Sequence, residues 1–137
     1  MVRNIVRDVE FLKQKSEPAT RADMQVARDL LDTLEANREH CVGLAANMIG
    51  ERKTILVAYL SGEAVIMINP VITDHSAQSY DVSEGCLSLL GTRPTKRYRV
   101  ITVEYLDRKF KKHRMILRGL EAQIIQHETD HFEGTII

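Results

Sequence analysis

The sequence is poor in the residues that mark disulfide-stabilised, disordered and fibrous chains. Its 137 residues include two cysteines, seven glycines, three prolines and no tryptophan. Two cysteines cannot supply the several disulfide bonds that hold small secreted domains together, and so few glycines and prolines exclude collagen-like and low-complexity chains. A chain of this length buries about two thirds of its unfolded surface without disulfide bonds. We therefore expect one domain over residues 1–137.

Neither sign of charge is in excess. Nineteen Lys and Arg residues balance nineteen Asp and Glu residues, so the formal net charge at pH 7 is zero. Nucleic-acid-binding proteins usually carry a clear positive excess, so specific binding to DNA is not expected. Positive charges still cluster locally, at Arg93, Lys96, Arg97, Arg99, Arg108, Lys109, Lys111, Lys112 and Arg114. We interpret this basic cluster as a solvated strand edge and a hairpin turn; an anionic partner such as the ribosome surface is the alternative.

Long apolar runs are also missing. No segment approaches the roughly 20 apolar residues of a membrane-spanning helix. The N-terminal segment, MVRNIVRDVEFL, carries charges throughout and lacks the apolar core of a signal peptide. These absences predict a cytoplasmic protein without membrane contact. In that compartment Cys41 and Cys86 are expected to be free thiols, and a free thiol in a cytosolic enzyme is a candidate metal ligand or nucleophile.

Helical patterns stand near both ends of the chain, with strand patterns between them. Apolar residues at helical spacing predict an amphipathic helix from Thr20 to about Glu39, with Thr20 as the N-cap. A second helix is predicted from Leu120 to Phe132, ended by Gly134. Strands are predicted over residues 54–60, 64–68, 100–106 and 110–117, the second ending at Asn69 and Pro70. This order predicts an α+β fold with antiparallel strands.

The second predicted helix contains an HExxH motif, His127-Glu128-Thr129-Asp130-His131. Residues four apart on a helix share a face, so the two imidazoles can bind one metal ion. Glu128, on the neighbouring side, can then act as a general base on a metal-bound water. Leu120 and Ile124 fall on the histidine face, which indicates that this face points inwards. Because a buried histidine pair needs a partner, we expect a metal site rather than two surface histidines.

Two histidines leave such a site one ligand short, since catalytic sites of this kind usually have three protein ligands. Only six residues follow His131, and the side chain of Glu133 leaves the helix on another face. The third ligand is therefore expected upstream. Cys86 is the best candidate, because its neighbours Gly85 and Ser88 suit an exposed turn or strand edge. The competitors are Cys41, His40, His75 and His113.

Three segments together resemble the peptide deformylase family. They are Gly43-Leu44-Ala45-Ala46-Asn47-Met48-Ile49-Gly50, Glu84-Gly85-Cys86-Leu87-Ser88 and Gln126-His127-Glu128-Thr129-Asp130-His131-Phe132-Glu133-Gly134. They occur in the family's order at compatible separations. The resemblance implies a fold in which the HExxH helix packs among antiparallel strands. It also implies an enzyme that removes the formyl group from the N-terminal formyl-methionine of nascent polypeptides.

By matching position, the resemblance also implies roles for individual residues. Cys86, His127 and His131 would bind one divalent metal ion, and Glu128 would transfer protons. The family's metal is usually Fe(II), and Zn(II) or Ni(II) can occupy the site. In the family, the backbone amide at the position of Leu87 and a glutamine side chain in the first segment, at the position of Met48 here, stabilise the charge on the formyl oxygen.

The resemblance further implies how the substrate peptide is held. Main-chain groups around Gly43 and in residues 89–91, including Leu89 and Gly91, would pair with the peptide as an added strand. An apolar pocket near Ile125 and His127 would take the methionine side chain.

Met48 departs from the family pattern, because it stands at the substrate-binding position of that glutamine. A thioether cannot donate a hydrogen bond, and loss of one oxyanion donor costs about 10²–10³ in rate. Asn47 has a donating amide, but adjacent residues of an extended chain point to opposite sides. Cys41 replaces a family glycine, which would strain the loop if that position needs a positive φ. Leu90 stands where many relatives have proline.

These departures keep a second hypothesis open, a deformylase-like metalloprotein with weak or altered activity that binds peptide N-termini. A third is a protease of the HExxH type, which the short sequence after His131 disfavours. An active deformylase is the leading hypothesis.

Overall fold

A computed structural model describes residues 1–135; Ile136 and Ile137, the last two residues of the domain predicted over 1–137, lie outside the described residues. The helices are α1 (Val9–Leu12), α2 (Met24–Ala36) and α3 (Gly119–Phe132). The strands are β1 (Gly43–Ala45), β2 (Ile55–Leu60), β3 (Glu63–His75), β4 (Ser79–Cys86), β5 (Leu89–Tyr98), β6 (Val100–Leu106) and β7 (Lys112–Arg118).

The strands form two separate antiparallel units. Five make one sheet in the order β1-β2-β3-β6-β7, whereas β4 and β5 pair only with each other, as a two-stranded ribbon in the described part of the chain. Helices α2 and α3 both pack against β1 and β2, and α3 also contacts β5. Helix α3 therefore lies between the sheet and the ribbon. This mixture of helices and antiparallel strands agrees with the predicted α+β fold.

Helix α2 is the predicted amphipathic helix, with a shorter C-terminal end. The Thr20 side chain accepts the backbone N–H of Ala22, and the Asp23 carboxylate accepts the N–H of Thr20. This capping box starts a 3-10 turn that leads into α2. The helix ends at Ala36 rather than at the predicted Glu39.

Helix α3 has nearly the predicted bounds, beginning at Gly119 and ending at Phe132. Its buried side includes Ala122 and Ile125, which are fully shielded from solvent. Gly134 follows with a φ of +77°, and a Cβ there would overlap the carbonyl oxygen of Lys13. Glycine is therefore required where the chain leaves α3 beside the N-terminal segment.

Strand β3 corrects the prediction that Asn69 and Pro70 end a strand, since it runs through both residues to His75. Asn69 has a φ of 51°, and the pairing with β6 shifts register across these two residues. Such a bulge accommodates a proline, which has no N–H to pair. The Asn69 side chain also accepts the N–H of Ala19 at 2.7 Å and donates to its carbonyl at 3.0 Å.

The β4–β5 ribbon was not predicted as a pair of strands. The sequence pattern indicated only a strand edge or a turn in this part of the chain. The ribbon's inward side carries polar residues such as Glu84 and Arg97, so the usual alternation of apolar and polar residues is missing. The predicted hairpin between residues 100 and 117 is present as β6 and β7.

None of the helices in residues 1–135 is both long and apolar enough to cross a lipid bilayer.

Candidate metal centre

Helix α3 places the two histidines of the HExxH motif on one buried face. His127 and His131 are 8% and 3% exposed, and their ring centroids lie 4.8 Å apart. Cys86, the last residue of β4, meets them from the ribbon. The potential ligand atoms of Cys86, His127 and His131 all lie within 4.8 Å of one another. In residues 1–135 no competing cysteine or histidine takes part in such a group.

Two unpaired polar atoms indicate that this group fits a cation. His131 Nε2 and Glu128 Oε1 are buried, and neither has a hydrogen-bond partner in the described part of the chain. Burial lowers the pKa of His131 to about 3, so its imidazole is neutral, as a metal ligand must be. A cysteine with two histidines suits several transition metals, iron and zinc among them. The three residues therefore have the chemistry of a metal site that keeps one position open.

A carboxylate on the ribbon orients His127. The Nδ1 atom of His127 lies 2.7 Å from Glu84 Oε1, which leaves Nε2 as the ring nitrogen that could bind a metal. Contacts of this kind fix the orientation of a metal-binding imidazole. Burial lowers the pKa of His127, but hydrogen bonds with Cys86 and Glu84 outweigh burial and raise it to about 10. Metal binding therefore has to displace a proton from this group.

Glu84 is in turn held by Arg97, which is only 3% exposed. The guanidinium donates to the Glu84 carboxylate at 2.7 and 3.0 Å and to Asp130 Oδ2 at 2.6 Å. Burial raises the pKa of Glu84, but hydrogen bonds with His127 and Arg97 lower it to about 2. We call the connected side chains Asp130, Arg97, Glu84 and His127 the buried relay.

The buried relay corrects one part of the sequence analysis. Arg97 was assigned to a solvated basic cluster, yet its side chain points from β5 towards α3, whereas Lys96 and Arg99 are exposed as expected. The sequence signal that could have identified Arg97 is the pair of carboxylates Glu84 and Asp130, which lie close to candidate metal ligands in the sequence. Buried carboxylates need a cation, and Arg97 is one of the candidates. The sequence does not give the strand register that brings them together.

Glu128 lies in the wall between α3 and β1, beside the three candidate metal ligands Cys86, His127 and His131, which we call the metal-binding group. Burial raises its pKa to about 7, against the lowering effect of the His127 charge. The backbone of Gly43 passes very close to it: a Cβ on Gly43 would lie 3.0 Å from Glu128 Oε2 and 3.0 Å from Ile124 Cγ2. Glycine at position 43 therefore leaves room for the carboxylate.

A cavity of about 610 Å³ opens over these groups. Its walls come from the loop before β1, from the end of β4 and the turn that follows, and from α3. Leu120, at the N-terminal end of α3, lines it and is 65% exposed. The cavity is thus an open cleft whose lining includes Glu128, Cys86 and His127.

Known proteins match this chain over nearly its whole length. The family model for polypeptide deformylase matches residues 2–137. A peptide deformylase from Clostridium beijerinckii is 58% identical over 137 residues, covering 100% of both chains. One from Dictyoglomus thermophilum is 37% identical, covering 93% of this chain and 84% of the relative. The chain belongs to the peptide deformylase family.

Solved deformylase structures share the fold. A peptide deformylase from Legionella pneumophila superposes with a TM-score of 0.89 at 32% identity, covering 99% of this chain and 83% of the other. One from Ehrlichia chaffeensis in complex with actinonin also has a TM-score of 0.89 and 32% identity, covering 98% and 86%. The predicted family and fold are confirmed.

Membership in the deformylase family makes this chain a metal-dependent hydrolase. Its activity is the removal of the formyl group from N-terminal formyl-methionine of nascent polypeptides. The alternative of a binding protein with weak or altered activity is not favoured by this degree of similarity, and the family assignment leaves the protease hypothesis without support.

The deformylase cavity contains most of the residues that the sequence assigned to substrate. Gly43, Met48, Leu87 and Gly91 line it. Leu89 does not line it, although it pairs with Cys86 at the end of the ribbon. Ile125 was expected beside the methionine pocket but is fully buried in the core. Leu120, Gln123 and Ile124 form the α3 wall of the cavity instead, because Ile125 lies on another side of the helix.

The structure shows the surroundings of Asn47, the neighbour of Met48, and of Cys41, which replaces a family glycine. The Asn47 amide donates to the carbonyl oxygen of His131 at 3.1 Å, so it is not available to replace the missing glutamine. Cys41 lines the cavity without a positive φ, so it does not strain the loop. Burial and the Glu128 charge raise the pKa of its thiol to about 11.

Proposed function

We propose that deformylation takes place in the cavity over α3, with Cys86, His127 and His131 as the metal ligands and Glu128 as the group that moves protons. The observation that carries this proposal is the convergence of three ligand atoms within 4.8 Å around the buried, unpaired Nε2 of His131. Cys86, His127 and Glu128 all line the cavity, so a metal held there would be within reach of a formylated peptide that enters it.

A metal bound there would act as a Lewis acid on the formyl carbonyl and lower the pKa of a water ligand. The protein's contribution is the placement of protons and partners. Glu128, with its unpaired Oε1 and a pKa near 7, can accept a proton from the attacking water. It can then give that proton to the amine as the C–N bond breaks. The buried relay keeps His127 oriented throughout.

The peptide would lie along strand edges at the cavity. Strand β1 is an edge of the five-stranded sheet, so main-chain groups near Gly43 can pair with an extended peptide. Leu89 and Gly91 would hold it from the ribbon side. The backbone N–H of Leu87 would donate to the formyl oxygen as charge develops there.

Replacing Met48 with glutamine is expected to raise kcat, by a factor of up to about 10²–10³ if the amide completes the oxyanion site. Met48 is 1% exposed and lines the cavity, so its thioether occupies the position where a donor is useful. Formate release from a formyl-Met-Ala-Ser peptide, at equal metal occupancy, measures the gain. Met48→Leu, which also lacks a donor, is the matched control. Equal rates for the parent, Met48→Gln and Met48→Leu would show that a donor at position 48 does not stabilise the oxyanion.

The metal ligands are tested by loading the protein anaerobically with Fe(II) and measuring bound metal and formate release together. We expect one metal per chain and turnover of the formylated peptide. His131→Ala is expected to lose both, since two ligands remain. His75→Ala, at an exposed histidine outside the cavity, serves as the control and should keep both. Full metal binding by His131→Ala would refute this ligand set.

We propose Fe(II) as the metal in the cell, with Zn(II) and Ni(II) as alternatives, because the cysteine and histidine ligands accept all three and metal supply decides between them. The same anaerobic preparation, loaded with each metal in turn, gives the order of turnover. A higher kcat with Zn(II) than with Fe(II) would contradict this assignment.

We further propose that residues 1–137 act as one catalytic domain in the cytoplasm. We also propose that the exposed part of the basic cluster contacts the ribosome surface. Lys109, Lys111 and Lys112 are exposed around the turn between β6 and β7. Binding through these lysines predicts co-sedimentation with ribosomes that weakens steeply as salt rises. Replacement of all three by alanine should abolish it, and unchanged sedimentation would refute the contact.

A further inference from the structure

Gln123 is a polar residue in an otherwise apolar part of the cavity wall. It lies on α3 one turn before His127 and lines the cavity between Leu120 and Ile124. Neither the metal-binding group nor the buried relay uses it. A carboxamide is costly to keep in an apolar wall unless its polar atoms are paired, so its partners matter.

The ribbon holds one end of this carboxamide. The hydroxyl group of Tyr80, on β4, donates to Gln123 Oε1 at 3.0 Å. Tyr80 is itself fixed, since the guanidinium carbon of Arg99 lies 5.0 Å from the centroid of its ring. With the amide oxygen occupied, the N–H groups of Nε2 are the part of Gln123 that remains to donate into the cavity.

The position of Gln123 matches the reach of the substrate's first side chain. Four residues of α-helix rise about 6 Å, so Gln123 lies about that far from His127 along the cavity wall. In a formyl-methionine peptide, five bonds separate the formyl carbon from the side-chain sulfur, a span of about 6 Å when extended. A side chain running along α3 from the metal position therefore brings its δ atom level with the Gln123 amide.

We propose that Gln123 is a specificity-determining residue that donates a hydrogen bond to an acceptor at the δ position of the substrate's first side chain. This inference rests on the proposed location of deformylation and adds a substrate to it. A thioether sulfur is a weak acceptor, whereas the oxygen of methionine sulfoxide is a strong one. The cavity should therefore accept peptides that begin with formyl-methionine sulfoxide, as well as formyl-methionine.

The reaction itself is unchanged on the oxidised substrate. Water adds to the formyl carbon, the C–N bond breaks, and the products are formate and a peptide with a free amine. The sulfoxide is neither reduced nor oxidised, so no further reactant is required. Norleucine, which has a methylene in place of the sulfur, offers Gln123 no acceptor and leaves its N–H groups unpaired.

The test compares four peptides, X-Ala-Ser with X as formyl-methionine, formyl-norleucine or either of the two epimers of formyl-methionine sulfoxide. For the metal-loaded enzyme, we expect kcat/KM for one sulfoxide epimer to lie within about tenfold of formyl-methionine. Gln123→Leu should lower the ratio of sulfoxide to norleucine turnover by about tenfold or more, partly because norleucine improves. Gln78→Leu makes the same change at an exposed glutamine outside the cavity and should leave the ratio unchanged.

Two further variants keep the inference falsifiable if Gln123→Leu does not fold. Gln123→Glu keeps the shape of the side chain but replaces the donating amide with a carboxylate that can only accept. The ratio of sulfoxide to norleucine turnover should therefore fall in this variant as well. Tyr80→Phe frees the amide and should reduce the ratio by a smaller factor, about two- to threefold. If formyl-methionine is processed but neither sulfoxide epimer is, or if the ratio does not respond to Gln123, the inference is wrong while the proposed function stands. If no formylated peptide is processed, the proposed function has failed as well.

Discussion

Replacement of Glu128 by glutamine is expected to lower kcat for a formyl-methionine peptide by about 10²–10⁴ without loss of metal. Glu128 is buried, but glutamine has the same shape, so the fold should tolerate the change. A carboxamide cannot accept the proton of the attacking water or return it to the leaving amine. The effect should therefore fall on kcat, with the metal content measured in the same preparation.

Glu133→Gln is the matched control for this variant. Glu133 follows α3 directly, is exposed, forms an ion pair with Lys15 at 3.6 Å and does not line the cavity. It should keep full turnover. If Glu128→Gln retained a rate close to the parent at full metal occupancy, another group would have to carry the proton, and the assignment of Glu128 would be wrong.

Arg97→Leu is expected to reduce the free energy of unfolding by about 3–5 kcal/mol, because it leaves buried charge without a partner. Glu84 would keep only His127, and Asp130 would lose its ion pair. With His127 less firmly oriented, metal affinity should fall by about 10–100-fold. Urea unfolding and a metal-competition titration measure the two effects. Lys96→Leu, at the exposed neighbouring position, should change neither by much.

The pH dependence of stability gives this prediction a second measurement. The pKa of Glu84 in the folded protein, about 2, lies below its ordinary value of 4.5. The stabilisation it provides is therefore complete above pH 4.5 and is lost as the pH falls towards 2. In Arg97→Leu the folded-state pKa should rise towards the ordinary value, so stability should depend less on pH in this window. If the free energy of unfolding falls between pH 4.5 and pH 2 as much in Arg97→Leu as in the parent, Arg97 does not keep Glu84 charged.

The sequence was sufficient for the metal-binding helix and for the identity of the candidate ligands. The HExxH spacing predicts two histidines on one face whatever the rest of the fold, and Cys86 was favoured by its local setting. The sequence could not exclude Cys41 as the third ligand, because the difference between the two cysteines lies in the fold. Both border the same cavity, and the path of β4 brings Cys86, rather than Cys41, to the two histidines of α3.

The features that the sequence did not predict correctly have one physical cause in common: each depends on contacts between segments that are distant in the sequence. Arg97 was placed in solvent because its two carboxylate partners come from β4 and α3. Likewise, a proline ends a strand by local rules, but the bulge at Asn69 is stabilised by the backbone of Ala19. Gln123 was not singled out because its cavity position depends on the ribbon that carries Tyr80.

The β4–β5 ribbon is held against α3 by side-chain hydrogen bonds. It shares no β-ladder with the five-stranded sheet in residues 1–135, and the side chains of Glu84, Arg97 and Tyr80 bond it to residues of α3. Cys86 belongs to the ribbon and the two histidines to α3, so a metal bound between them is also a cross-link. Anything that binds only the folded state stabilises it in proportion to the logarithm of its free concentration. Metal starvation should therefore shorten the lifetime of this enzyme against proteases as well as stop its reaction.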